Sequence, residues 1–173
     1  PHIYMYGCVS SDTAQAGHDF GGEGFKFWEF DYKVFGCVNF RNNLVDDSGG
    51  GMGLAGDGKG INGSYAYVYN SLFCDTSAYA IARERISTNI YVKNDIFINY
   101  KKSILPIALT TNCIFYGEGT PPSSGQNKLL DDPKFLNPAA GNFFLKSDSP
   151  ALLSGDLSGI SFLVDGIDYC KFD

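Results

Sequence analysis

The chain of 173 residues has no uninterrupted apolar run approaching the ~20 residues that a membrane-spanning helix needs, which excludes that class. Basic residues are few: 13 Lys and Arg stand against 19 Asp and Glu, for a formal net charge of −6. Adjacent basic residues occur only at Lys101-Lys102, so a nucleic-acid backbone is set aside as partner, because neutralising phosphates needs clustered Lys and Arg. Hairpin signals are scarce as well. Asn62-Gly63 is the only Asn-Gly pair, which argues against a sandwich built from tight hairpins. The five cysteines include no Cys-x-x-Cys and no Cys/His grouping, so neither a zinc centre nor a disulfide scaffold is expected.

What the chain has is aromatic residues and glycine: 14 Phe, 11 Tyr and 21 Gly, a combination that suits strands and dense turns better than helices. A single soluble domain of this length buries roughly 70% of its unfolded surface and needs no staple. The sequence opens at Pro1 and reads at once as a strand, His2-Ile3-Tyr4-Met5-Tyr6, which leads us to expect a cut through a larger polypeptide.

A short motif recurs: a glycine or asparagine, any residue, an aliphatic, and usually an aromatic. Its first positions are Gly7, Gly36, Asn70, Asn94 and Asn112, spaced by 29, 34, 24 and 18 residues. Such irregular spacing fits coils that keep their strands and vary their loops. A second column of apolar runs follows, at Gly24-Phe25-Lys26-Phe27-Trp28, Gly51-Met52-Gly53-Leu54-Ala55, Ala78-Tyr79-Ala80-Ile81-Ala82 and Ser103-Ile104-Leu105-Pro106-Ile107. Two strands per coil, stacked ~4.8 Å apart, predict ladders of equivalent residues. Asn70, Asn94 and Asn112 are expected to form one such ladder at a corner, with Gly7 and Gly36 in the same place in the first coils. Cys8, Cys37 and Cys113 share the next position and are read as small buried hydrophobes, a Cys8–Cys37 bond also being within reach; Cys74 and Cys170 lie elsewhere.

With these repeats, the closing segment Asp132-Pro133-Lys134-Phe135-Leu136-Asn137-Pro138, followed by Gly141-Asn142-Phe143-Phe144-Leu145 and Ser149-Pro150-Ala151-Leu152, resembles the right-handed parallel β-helix proteins of the pectate lyase type. The resemblance covers residues 1 to about 155. It implies an all-β solenoid, with coils over 1–120 and a closing segment and cap over 121–173, in which Phe135, Phe144 and Leu145 supply apolar cover and the prolines stop strand addition. It further implies N-terminal coils and a cap outside this sequence, and a secreted protein.

The segment from His18 to Trp28 is the richest in chemistry. Gly24-Phe25-Lys26 resembles a strand that carries a base lysine in one group of calcium-dependent pectate lyases. Alternation points Lys26 outward, with Gly53 and Ala80 in the equivalent places of the next coils, and Trp28 above Ala55 and Ala82 as a face for a sugar ring. His18 is a candidate general acid or a turn residue, and Glu23 a further binding candidate. Lyase chemistry requires a lowered lysine pKa, a neutralised carboxylate and an acid at the leaving oxygen. Ca2+ held by Asp19, with Asp46 and Asp47, would serve; Asp46-Asp47 beside Gly49-Gly50-Gly51 also reads as a corner, and the family's paired-Asp calcium motif is not seen upstream of Lys26. Arg83 and Arg85 are placed either to grip a sugar carboxylate or to form a solvated ion-pair edge with Glu84. Asp19 and Glu23 are the candidates for a hydrolytic carboxylate pair.

Two functions follow as expectations. One is a secreted carbohydrate-active module that binds an acidic polysaccharide and cleaves it by β-elimination. The other is a structural subunit, an adhesin, fibre or filament, assembling with another chain through its first coil.

Overall fold

The computed structural model describes residues 2–12, 24–28, 31–42, 50–55, 65–84, 89–102, 108–123, 125–126, 129–156, 158, 163–164 and 167–168; for 2, 26–28, 53–55, 77–78, 82–84, 101–102, 108, 163–164 and 167–168 the description is of the backbone. Among these residues the chain forms β1 (His2–Tyr6), β2 (Val9–Ser11), β3 (Phe25–Trp28), β4 (Asp31–Phe35), β5 (Val38–Phe40), β6 (Gly50–Ala55), β7 (Tyr65–Tyr69), β8 (Leu72–Glu84), β9 (Asn89–Lys93), β10 (Ile96–Lys102), β11 (Ala108–Thr111) and β12 (Ile114–Tyr116). The chain is all-β, and every pairing among these strands is parallel.

Strands are dealt alternately to two sheets. One has the order β1-β4-β7-β9-β11 and the other β12-β10-β8-β5-β2, with β3 and β6 joined to the far half of β8. The recurrent motif sits at the corner between them, and its alignment is the observed register. Tyr6, Phe35, Tyr69, Lys93 and Thr111 pair in sequence before the corner, and Val9, Val38, Leu72, Ile96 and Ile114 after it.

The reason for glycine or asparagine is the backbone. Gly7, Gly36, Asn70, Asn94 and Asn112 all have φ between 52° and 62°, a left-handed conformation that costs most residues 1–2 kcal/mol or so and costs glycine and asparagine less. Each corner then bonds to its neighbour. Gly36 N donates to Tyr69 O at 3.1 Å, Asn70 N to Lys93 O at 3.0 Å and Asn94 N to Thr111 O at 3.1 Å. Of the expected asparagine ladder, one rung is a side-chain bond, Asn94 Nδ2 donating to Asn70 Oδ1 at 2.9 Å, while Asn112 shares the corner position through its backbone.

The residue after the left-handed one has a second task. Cys37 N donates to Ser71 Oγ at 3.2 Å, and Ser71 N donates to Asp95 Oδ1 at 2.5 Å, so a small side chain with an acceptor atom caps the corner amide of the repeat before it. The cysteines of this column are free thiols, and so is Cys74. Burial pushes Cys37 up to about 11 and Cys113 up to about 12, which keeps both protonated and inert.

Inward residues of both sheets form one apolar cluster, with Tyr32, Val34, Ala66, Val68, Ile90 and Val92 from the first sheet. Opposite them Phe73, Phe97 and Phe115 stack in one row, with centroids 5.2 and 5.0 Å apart and ring planes within 9°. Each such pair adds about 0.5–1.5 kcal/mol beyond the area it buries.

Two details differ from expectation. The second column is displaced by two residues in β8: Met52 pairs with Ile81, not Tyr79, and Lys26 pairs with Gly53, which pairs with Ala82, whereas Ala80 is fully buried. Trp28 accordingly stands in line with Ala55 and Glu84 rather than Ala82. A slip of two keeps the inward–outward alternation, so periodicity alone does not detect it. In the closing segment, Phe135 is buried but Phe144 is 77% exposed, and Phe143 takes its place. The hairpin of β13 (Phe135–Asn137) and β14 (Asn142–Leu145) lies along the outer face of the second sheet, where Phe143 meets Phe40 edge-on at 4.9 Å. A short final hairpin pairs β15 (Leu163–Val164) with β16 (Ile167–Asp168).

Two stability tests follow. Asn70→Val should lose about 2–3 kcal/mol, the left-handed penalty plus a ladder bond, and Asn70→Gly under about 1 kcal/mol, both read from urea unfolding. Asp95 is fully buried, its Oδ2 has no hydrogen-bond partner, and burial raises its pKa well above the usual carboxylate range. Its folded value exceeding the unfolded ~3.9, stability is fullest below that pH and declines as pH rises from it toward the folded value. Asp95→Asn keeps the acceptor for Ser71 and should flatten that decline, with a denaturation midpoint above the parent's at pH 7.

Candidate functional site

Of the residues singled out from sequence, the structure describes the backbone of Lys26, Trp28 and Arg83. Lys26 and Trp28 are on β3, and Arg83 is on β8 paired with Leu54. His18, Asp19, Glu23, Asp46, Asp47 and Arg85 lie outside the described residues. Among the described residues no group of three His, Cys, Asp or Glu could hold a metal.

The described residues instead assemble a surface on the outward face of the first sheet. Strand alternation buries Tyr32, Val34, Ala66, Val68, Ile90 and Val92, and so turns the residues between them outward. Because the strands are in register, the outward residues form rows across the sheet. Tyr4, Lys33, Tyr67, Tyr91 and Leu109 make one row, and Tyr6, Phe35, Tyr69, Lys93 and Thr111 the next. Tyr65 adds a further ring in line with Asn89.

The rings organise one another. Tyr67 and Tyr91 stack at 5.2 Å with planes 14° apart, Tyr65 lies 6.2 Å from each, and Tyr6 stacks on Phe35 at 5.6 Å. Rings stacked along the row give their faces to one another and leave edges and hydroxyls to solvent. Tyr4 and Tyr6 are each 42% exposed and Tyr65 38%. Burial, then the neighbouring Tyr91 and Tyr65 and the Asp31 carboxylate, raise the pKa of Tyr67, so its phenol stays a hydrogen-bond donor well into alkaline pH. Asp31 fixes the edge of the row by accepting from Tyr65 N at 2.9 Å.

This surface couples amphipathic rings held by a rigid sheet to a line of hydroxyl groups. Tyrosine gives large contact area for little side-chain entropy, and its phenol both donates and accepts. A polyhydroxylated ligand matches it: its hydroxyls exchange hydrogen bonds with phenols while its C–H surface packs on ring edges.

A groove of about 690 Å3 runs between β2, β5 and the closing hairpin, lined by Val9, Val38, Phe40, Phe143 and Phe144 with Arg41 at its rim. Its only strong charge is already occupied. Arg41 Nε lies 2.8 Å from Asp12 Oδ1, Arg41 Nη2 donates to Asp12 Oδ2 at 2.9 Å, and the guanidinium lies 4.1 Å from the centre of the Phe40 ring.

The tyrosine rows went unread in the sequence, where the aromatic content served only as a sign of strands. The signal was present: Tyr65, Tyr67 and Tyr69 alternate with Ala66 and Val68, and Tyr91 sits between Ile90 and Val92. The chain matches no family model, no curated protein and no solved structure. What the described residues define is therefore an all-β protein of parallel sheets with a tyrosine-rich outward face.

Because Tyr67 stacks on Tyr65 and Tyr91 at the outward face, Tyr67→Ala should cost about 1–3 kcal/mol of stability, measured by thermal unfolding.

Proposed function

We propose that the chain folds as a right-handed parallel β-helix of the pectate lyase-like kind, is secreted, and binds an acidic polysaccharide along the outward tyrosine rows of its first sheet. The observation that carries this reading is the register: tyrosines from β1, β7 and β9 fall into line across neighbouring strands, so a linear polymer lying across the sheet meets one side chain per strand. Alternating strands, left-handed corners and stacked inner rows support the β-helix as its frame.

Cleavage by β-elimination is the catalytic extension of this reading. Lys26 would be the base, its row opened by the small residues Gly53 and Ala82, and the sugar carboxylate would need neutralising by Arg83, Arg85 or Ca2+.

Binding is tested by affinity electrophoresis against polygalacturonate, alginate and chondroitin, with and without calcium. Retardation by at least one polymer is expected, and Tyr67→Ala should weaken it roughly tenfold, as the loss of a central aromatic contact does. Unretarded migration in all three would overturn the reading. Absorbance of the unsaturated product follows elimination in the same mixtures. Lys26→Ala should abolish it, and activity retained by that variant would remove Lys26 as the base.

A further inference from the structure

Lys33 occupies an unusual place on the tyrosine face. It stands between Tyr4 and Tyr67 in the row that continues through Tyr91 to Leu109. Its side chain is half-buried, and its Nζ lies 5.8 Å from the centre of the Tyr4 ring. No carboxylate pairs with it among the described residues. Among the described residues, Lys93 holds Asp156 at 3.0 Å, Lys134 holds Asp148 at 2.8 Å, and Arg41 holds Asp12.

An ammonium with no anion among the described residues is noteworthy in a protein of net charge −6, where acidic partners outnumber basic ones. Its neighbours explain how it is tolerated. The electron-rich face of Tyr4 offsets part of its charge, and phenol oxygens along the row can accept from it. Those contacts leave capacity for an anion, since an ammonium carries three donors.

Resting on the glycan-binding reading above, we infer that Lys33 is the residue that selects carboxylated sugars: it takes the carboxylate of one sugar unit while Tyr4 on one side and Tyr67 on the other hold that unit and its neighbour. The row supplies contact that any sugar can use, and Lys33 supplies the one interaction that a neutral sugar cannot. Charge complementarity, set in the middle of a surface made of phenols, commits the site to a uronate-containing polymer rather than to a neutral one. Lys93, one row away, is less suited, because Asp156 already neutralises it and Ser158 O accepts from its Nζ at 2.6 Å.

The test compares polygalacturonate with its carboxyl-reduced form, using the parent, Lys33→Gln, Lys33→Arg and Tyr67→Ala. The parent should bind polygalacturonate roughly tenfold more tightly than the reduced polymer, the difference that one charge-assisted hydrogen bond makes. Lys33→Gln should bring the two polymers to the same affinity, and Lys33→Arg should restore the preference. Added salt should weaken polygalacturonate binding by the parent and leave Lys33→Gln little affected. Should the parent bind both polymers equally, with Tyr67→Ala weakening both, the tyrosine face remains a glycan site and the role of Lys33 is refuted. Should Lys33→Gln keep the full preference for polygalacturonate, Lys33 is likewise refuted. If the parent binds neither polymer, the glycan reading falls and the inference falls with it.

Discussion

One constraint governs this architecture: at each corner among the described residues the chain must turn through a left-handed residue and still pair its backbone groups. Gly7, Gly36, Asn70, Asn94 and Asn112 meet the first half through their tolerance of positive φ. The second half is met sideways, by neighbouring repeats. Backbone groups on both flanks of the corner bond across, as in Val38 N to Cys8 O at 2.8 Å and Leu72 N to Cys37 O at 2.8 Å, and at Cys37 and Ser71 the amide between them is capped by the next repeat's side chain. Because the bonds run from repeat to repeat, a corner is complete only when its neighbour is in register. Alignment of the sheets is therefore set at their corners, and everything in line across them inherits it. At the far end the ladder is continued by single bridges, Thr111 with Gln126 and Ile114 with Leu129, which extend both sheets by one step before the chain leaves them.

That inheritance gives the two faces of each sheet different fates. On the inside, register stacks Phe73, Phe97 and Phe115. The same row turns polar at Asn39, buried and bonded to Asn42. On the outside of the second sheet, the aliphatic row of Val38, Leu72 and Ile96 is covered by Phe135, Phe143 and Leu145 of the closing hairpin. The outside of the first sheet carries tyrosines instead, and among the described residues a strap from the C-terminal segment meets its margin. There Asn94 Oδ1 accepts from Asp156 N at 2.9 Å while Asn94 Nδ2 donates to Asp156 O at 3.0 Å. Asp156 is further held by Ser158 and Lys93, which lower its pKa to about 2. Among the described residues one face is packed under the hairpin and the other carries half-exposed rings, and the residue types agree with that division: aliphatic where covered, mostly phenolic where solvent reaches.

Much of this frame was legible because the corner imposes residue type. Glycine or asparagine followed by a small residue and an aliphatic is a local demand, and local demands survive in sequence even when spacing varies. A second column of the same kind was missed. Asp12, Arg41, Asp75, Asn99 and Gly117 also have positive φ, and each lies five residues after a corner glycine or asparagine. The fixed offset could have revealed it, but Arg41 obscures the pattern, since arginine seldom adopts that conformation. This second bend also lets β8 run on as a single strand from one sheet to its branch, which is why the Lys26 row slipped by two in the sequence alignment. Phe143 and Phe144 were exchanged for a related reason: adjacent aromatics on a short strand give periodicity nothing to choose between. The chemistry-bearing segment from His18 to Trp28 was conspicuous as a sequence because its residue types are rare here, whereas the tyrosine face was inconspicuous because it is assembled from strands far apart in the chain.

Amide hydrogen exchange at the corners measures the central constraint directly. If side chains of one repeat cap the amides of the one before, the Cys37 and Ser71 N–H groups should exchange as slowly as those of Val68 and Val92 within the strands, since opening them requires separating neighbouring repeats. Exchange of Cys37 and Ser71 at the rate of exposed loop amides, with the strand amides still protected, would contradict the account: the corners would then not be what holds the sheets in line.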